Sequence, residues 1–483
     1  MNELHLFAAI PTLPDLLLEI QSLLLGILCL ILLVFVADLF LSRPRNKKPR
    51  VIFFAILAIF WSIFFYHQLG DGRWSLLALT YGVSIAACFM HRSIAISFMI
   101  ANFMLRPWEM APHVPALLLL PDLLFRTWAI AWLFSVRSYG HIIVSRIFHP
   151  STLAFFAVMV IFFISAQLSV SPVDSTRRFF MIFLKTGILY LLIILSIFKR
   201  KDLMRISLLT AISIVFTGLV SYVYSLTIGA DRVVSASKFL GNSNDLAAIS
   251  VISAGLFLGA MFDSFYKKNY WGAFGGLFPL SVLLWCIHGT QSRGALLAVA
   301  LMAMVGLMIK RRPSLKQVLF YGSFGGALAV FALKVLVSRN SSEMAESLEH
   351  RLNYFFSGIH MAIKNPVTGV GLFQYENVLA HYTLMPLSEG TNRAAHSSWV
   401  QILSESGFLG FGVFLVFILM VIYAAWSIRK KYLGVTLAFC GFTFCISFLS
   451  HGYTIYPYIT YALVIGGFMI KDVPMEHKKP LVI

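Results

Sequence analysis

"WVQILSESGFLGFGVFLVFILMVIYAAWS", residues 399–427, decides what kind of protein this is. A helix crosses a bilayer with about 20 consecutive, mostly apolar residues, and this run is long enough to do so. Directly before it stands "TNRAAHSS" (391–398), with Arg393 and His396, and directly after it the basic "RKK" (429–431). A chain that sets a protonatable polar cluster at one lip of a span and cations at the other poses a question about chemistry at that first lip.

Working outward, the same alternation fills the chain. Further apolar runs fall near 20–41, 51–67, 74–90, 93–105, 116–135, 151–170, 179–197, 206–228, 246–263, 272–289, 294–309, 318–337, 433–450 and 457–470. Of 483 residues, 59% are hydrophobic and 12% charged, with a mean hydropathy of +0.84. A soluble domain carries about 25% charged residues. The expected fold is all-α, a polytopic transmembrane bundle of about 12–15 spans. The opening stretch "MNELHLFAAIPTLPDLLLEI" has no basic n-region, so it is expected to stay in the mature chain.

The net charge of +18 is a topology signal and does not point to nucleic acid. Basic residues gather in short loops, "RPRNKKPR" (43–50), "KRKDLMR" (199–205), "KRRPSLK" (310–316) and "RKK" (429–431), which alternate with the spans. The positive-inside rule puts these loops in the cytoplasm. The same alternation puts 338–398, about sixty residues without a span, on the outer face. Four segments follow: N-terminal spans (1–230), spans carrying arginine loops (231–337), an extracytoplasmic loop (338–398), and C-terminal spans with a cytoplasmic tail (399–483). Within the loop, "RLNYFFSGIHMAIK" (351–364) sets Leu352, Phe355, Phe356, Ile359 and Ile363 at helical spacing. That predicts an amphipathic helix, which could lie on the bilayer or cover a cavity between helices. "NPVTGVG" (365–371) ends it with turn residues.

Three polar groups converge on the outer face: "DRVVSASKFLGNSNDLA" (231–247) with Arg232 and Lys238, "GTQSRGALLA" (289–298) with Arg293, and the lip with Arg393 and His396. One arginine at a helix end can simply snorkel to headgroups. Three such groups, against the positive-inside tendency, suit a phosphate or pyrophosphate, which guanidinium groups grip bidentately. His396 reads either as a solvated loop residue or as a base. Ser397 or Ser398 can cap the following helix, and the positive helix N-terminus beside it favours a neutral imidazole able to accept a proton.

Other groups read as structural or stay open. Asp122 and Arg126, one helical turn apart, can neutralise each other. Lys185 sits inside a span and is a functional candidate without an evident role. The five cysteines lie in apolar runs without metal-ligand spacing. No metal motif or phosphate-binding glycine loop is present, so no cofactor is expected.

In their order, "RVVSASKFLGNSNDLA", "TQSRGALLA", "RLNYFFSGIHMAIKNPVTGVGLFQYENV" and "AHSSWVQILSESGFLG" resemble the O-antigen ligase and polymerase superfamily over roughly 230–470. The resemblance implies transfer of a polyprenyl-pyrophosphate-linked glycan to a hydroxyl acceptor outside the plasma membrane, without nucleotide or metal. It also implies that Arg232 and Arg293 bind the donor pyrophosphate, that His396 is the catalytic base, and that Arg351 opens the loop helix. Ser243 and Ser397 depart from the usual Pro and Asn of those motifs. The expected partners are that donor, a lipid A–core or other glycan or protein hydroxyl acceptor, and the bacterial inner membrane with the site on its periplasmic face. Polymerase and protein O-glycosylation ligase share this chemistry. A flippase is the rival of a different class; it would show repeats and mid-membrane polar groups.

Overall fold

The computed structural model describes residues 92–106, 132, 140–235, 242–310, 341–383 and 394–470. The runs expected at 20–41, 51–67, 74–90 and 318–337 and nearly all of 116–135 lie outside these residues, as do Asp122, Arg126, Lys238 and Arg393. Within them every regular element is helical, which makes the fold all-α. In chain order the helices are α1 (Arg92–Leu105), α2 (Gly140–Ile147), α3 (Pro150–Gln167), α4 (Pro172–Arg178), α5 (Leu184–Ile194), α6 (Arg200–Thr227) and α7 (Ser243–Tyr266). They continue as α8 (Tyr270–Gly289), α9 (Arg293–Lys310), α10 (Ser341–Lys364), α11 (Tyr375–Tyr382), α12 (Ser398–Ile428), α13 (Leu433–Cys445) and α14 (Ile455–Met469). Among the described residues, α3, α6, α7, α8, α9 and α12 are long and apolar enough to cross a membrane.

Local chemistry sets the helix ends. His149 caps α3, its ring nitrogen accepting from the Ser151 amide at 3.3 Å, and Pro150 follows at the first turn, where a missing N–H costs nothing. At the α6 start, Asp202 reaches back to accept from the amides of Phe198 (3.2 Å) and Lys199 (3.0 Å), satisfying two orphan donors. The run expected at 179–197 is not one regular helix. A π-turn, Phe179–Phe183, joins α4 to α5 one residue before Leu184, and Lys185 follows it half-buried. The 433–450 run is shorter than expected: α13 stops at Cys445, and 446–454 is a separate connection.

The chain divides into two compact units. One comprises Met1–Gly140, Met204–Leu246 and Gly289–Gln291; the other comprises His141–Leu203, Ala247–His288 and Ser292–Ile483. In the first, Thr217 Oγ1 donates to the Met104 carbonyl at 3.2 Å, tying α6 to α1. Ser225 Oγ accepts from the Val234 amide (2.8 Å) and donates to its carbonyl (3.1 Å), folding the chain after α6 back along it.

The second unit has an aromatic centre. Phe155 of α3 lies 4.0 Å from Tyr190 of α5, 5.4 Å from Phe417 of α12 and 5.8 Å from Tyr458 of α14, ring centre to ring centre. Such tilted pairs each add about 0.5–1.5 kcal/mol beyond their buried area. Elsewhere small residues do the packing. A Cβ on Gly255 of α7 would stand 2.5 Å from the Ala438 amide of α13, and one turn on Gly259 meets Gly434. Two small residues four apart on each helix let the backbones touch, the arrangement favoured where lipid removes the hydrophobic drive to associate.

Candidate functional site

The lip of α12 is built from its serines. Ser397 is the N-cap, with its hydroxyl accepting from the Val400 amide at 3.5 Å, as expected for one of the two serines. The second serine bonds elsewhere. Ser398 Oγ donates to the Leu449 carbonyl (2.6 Å) and accepts from the His451 amide (2.9 Å). Trp399 adds a bond from Nε1 to Ser447 Oγ at 3.0 Å. The helix start is therefore fastened to the connection between α13 and α14. His396, just outside it, adopts φ 50, a left-handed conformation uncommon for a residue with a side chain. Such a backbone persists only where its surroundings hold it.

The imidazole faces α10. Its ring centre is 6.1 Å from that of Tyr354, which in turn stacks on His350 at 6.3 Å. Tyr354 is buried and held from behind, because Tyr375 Oη donates to its carbonyl at 2.5 Å. Burial lifts the Tyr375 phenol well above its ordinary value, with Glu405 adding to the effect, so it stays a donor.

A latch unrecognised in the sequence fixes this arrangement. Gly407 interrupts α12 with φ 66 and ψ −174, so Ser398–Ser406 and 408–428 are two helical halves. The segment 365–375 docks on the break. Phe408 donates its amide to the Pro366 carbonyl (2.7 Å), Val370 to Ser404 (2.9 Å) and Gly371 to Glu405 (3.0 Å). The Glu405 carboxylate, 1% exposed, then accepts from the amides of Phe373 (2.9 Å) and Tyr375 (3.0 Å). The Tyr453 hydroxyl sits near the same carboxylate, short of hydrogen-bond geometry. From α3, Ser165 Oγ donates to the carbonyls of Glu405 (2.7 Å) and Thr368 (3.1 Å). A Cβ on Gly369 would lie 2.4 Å from Glu405 backbone, so "NPVTGVG" is a docking surface as well as a turn. Its glycines are legible as turn signals; their distant partners are not.

A second cluster missed in the sequence borders this latch. Arg178 pairs with Asp174 at 3.0 Å, and Gln374 Nε2 donates to Ser175 Oγ at 2.9 Å, joining α4 to the start of α11. His451 is also new: 4% exposed, it lies 3.2 Å from Thr454 Oγ1 and 6.2 Å from the Phe442 ring centre.

The arginines fall in different places. Arg232 donates through Nε (2.9 Å) and Nη2 (2.6 Å) to the Thr290 carbonyl, in the first unit. Val233 N–H bonds the Gly289 carbonyl at 2.9 Å beside it, so the 231–235 segment is strapped to the loop that precedes α9. Arg293 is the first residue of α9, in the second unit. A cation there opposes the helix dipole. Arg351 stands exposed on α10, three residues before Tyr354. The structure thus brings His396 together with Tyr354, and Arg232 together with the loop before Arg293 in sequence. Among the described residues, no group of three His, Cys, Asp or Glu side chains could hold a metal ion.

Residues 278–415 match the family model Wzy_C, described as O-antigen ligase. The matched segment holds Arg293, Arg351, Arg393 and His396, together with Glu405 and the latch, and stops short of Arg232 and Lys238. A search of curated proteins finds no match. The segment supports the O-antigen ligase superfamily, and with the apolar helices it gives a multi-pass membrane protein.

Proposed function

From a chain whose 278–415 segment is of the O-antigen ligase kind, we propose a metal-independent, inverting glycosyltransferase at the outer face of a bacterial inner membrane. The donor is a polyprenyl-pyrophosphate-linked glycan and the acceptor a hydroxyl, in the favoured case on lipid A–core. His396 takes the acceptor proton as the oxygen bonds the anomeric carbon. The bond from that carbon to pyrophosphate breaks, and polyprenyl pyrophosphate leaves with the electron pair. Arg293 and Arg232 hold the pyrophosphate and offset its growing charge, the kind of electrostatic stabilisation that usually contributes most. Arg351, Arg393 and Lys238 add cationic charge around the donor.

The observation that carries this reading is the pose of His396. It is a left-handed residue set between a capped helix start and Tyr354, inside the family segment. A backbone fixed this way spares the imidazole its main-chain ordering before it accepts a proton. Arg293 supports the donor assignment, because a cation and a helix N-terminus together attract an anion although they repel each other. Arg232 enters on its charge and its place in the sequence; in the structure its Nε and Nη2 donate to the Thr290 carbonyl.

A purified transfer assay with lipid-linked donor and a lipid A–core acceptor tests the proposal. Arg293→Ala is expected to abolish transfer at matched expression, and Arg293→Lys to rescue it poorly, since a point charge lacks the bidentate grip. Wild-type transfer by Arg293→Ala removes the pyrophosphate role. A deletion strain read on surface-glycan gels separates acceptors: full-length glycan left on its carrier means ligase, single repeat units on the acceptor mean polymerase. For orientation, a cysteine replacing the exposed Ala380 of α11 should react with an impermeant thiol reagent in intact spheroplasts. Protection until lysis reverses the topology.

A further inference from the structure

α10 buries one face against the protein and carries an apolar row on the other. Tyr354, Ser357, Met361 and Ala362 are buried, and Gly358 brings the helix onto Val400 of α12. At 100° per residue, Leu352, Phe356, Ile359 and Ile363 form a row on the other side. The row read from the sequence is therefore the one turned away from the protein: Leu352 is 48% exposed, Phe356 49% and Ile363 60%. A contiguous apolar patch of this kind marks a surface meant to be covered.

Where the row ends identifies the cover. The second half of α12, 408–428, is about 31 Å long at 1.5 Å per residue, the thickness of a bilayer's hydrocarbon core. Its outward side chains, Phe408, Leu409, Val416 and Leu419, are those of a lipid-facing span. Phe408 opens that span, and its amide is bonded to the Pro366 carbonyl, just beyond the end of α10. The bond sets Ile363 and the exposed Val367 at the level where the span leaves the hydrocarbon. The apolar span thus begins one hydrogen bond from the end of α10, where the exposed row stops at Ile363. Arg351 and Lys364 stand exposed on the flanks of the row, with Glu349 close to it, and cations flanking an apolar row suit lipid phosphates.

We propose that α10 is an interfacial helix, its Leu352–Phe356–Ile359–Ile363 row seated among the lipids of the leaflet on the loop's side. Tyr354, on the opposite face, then reaches His396 from a helix resting on the membrane, which sets the imidazole close to headgroup level. The seat does not depend on the transfer chemistry and can fail or hold separately from it.

The test uses the full chain in vesicles of equal parts phosphatidylethanolamine and phosphatidylglycerol. p-Benzoylphenylalanine replaces Leu352, Phe356 and Ile363 in turn, with the span residue Val416 as the lipid-facing reference. On illumination the three loop positions should form phospholipid adducts, detected by mass spectrometry, at yields within severalfold of the Val416 position. Absence of adducts at all three means a solvated face and overturns the proposal. Crosslinks joining two copies of the chain in place of lipid adducts also overturn it, since a second copy is then the cover.

Discussion

The two halves of α12 share one helix designation and obey opposite rules. Before Gly407, the side chains of Ser398, Ser404, Glu405 and Ser406 are all at most 1% exposed. These four polar groups go inside, each with a partner, as burial demands. After Gly407 the helix is almost wholly apolar, and Phe408, Leu409, Val416, Leu419 and Tyr423 are at least half exposed. Here apolar groups go outside, because the solvent is lipid. The first half is a polar platform that positions His396; the second is a membrane span. Hydropathy alone reads both as one run, and the glycine between them marks the change.

The sharpest way to break this comparison lies at the platform's edge. His396→Ala should reduce transfer about 10²–10⁴-fold, the range for a positioned acid–base group, while insertion and donor binding persist. Activity of the native protein should fall as pH drops through imidazole protonation, because only the neutral ring accepts a proton. If His396 merely orders the helix start, His396→Asn restores most of the transfer rate in the purified assay, since Asn suits both caps and left-handed backbone.

The break itself comes next. Gly407→Ala places a Cβ 2.6 Å from Val367 backbone and asks an L-residue to adopt a region reserved for glycine. The conformational cost alone is about 1–3 kcal/mol. Thermal unfolding in detergent should show a lower midpoint, with transfer lost in proportion. An unchanged midpoint means the two halves can merge into a straight helix.

Glu405→Gln tests the latch with a smaller change. One carboxylate oxygen becomes an NH₂ group facing a backbone amide, so one of the bonds from Phe373 and Tyr375 is lost. The expected cost is about 1–3 kcal/mol of stability. Transfer should fall more through altered placement of Tyr354 and His396 than through loss of folded protein, which normalising rates to folded protein resolves. Equal losses in both would make Glu405 a stabilising residue only.

In the span half, Val416→Ala should stay within about 0.5 kcal/mol of the native protein, because it exchanges one lipid contact for another. A larger loss would show that this face packs on protein.

How much of this is legible in the sequence follows from the range of each signal. The helix of 351–364 is readable because its periodicity is local, although α10 begins earlier, at Ser341. Its apolar row is visible, yet which side faces the protein is not: Tyr354, Ser357, Gly358 and Met361 look no more apolar than the row opposite. The cap by Ser397 is a short-range signal, and the structure has it. Glu405 is hidden inside a hydrophobic run because its partners, Phe373 and Tyr375, are about thirty residues away. The touching glycines of α7 and α13 escape for the same reason. Arg232 reads as a ligand group from its charge; its bond to the Thr290 carbonyl, 58 residues on, belongs to tertiary structure.

The left-handed backbone of His396 has a consequence in time and temperature. Fixing one residue's backbone costs about 1–2 kcal/mol in conformational entropy at room temperature, whichever step fixes it. At His396 the fixing belongs to folding, through the α12 cap and the 446–454 connection behind it. On the proposed reading, an incoming hydroxyl therefore meets an imidazole whose backbone mount is already ordered. Activation entropy for its step should accordingly be less unfavourable in the native protein than in a variant with a loosened mount, such as Ser398→Ala, which removes the hydroxyl between Leu449 and His451. Eyring plots of the two would diverge in intercept more than in slope.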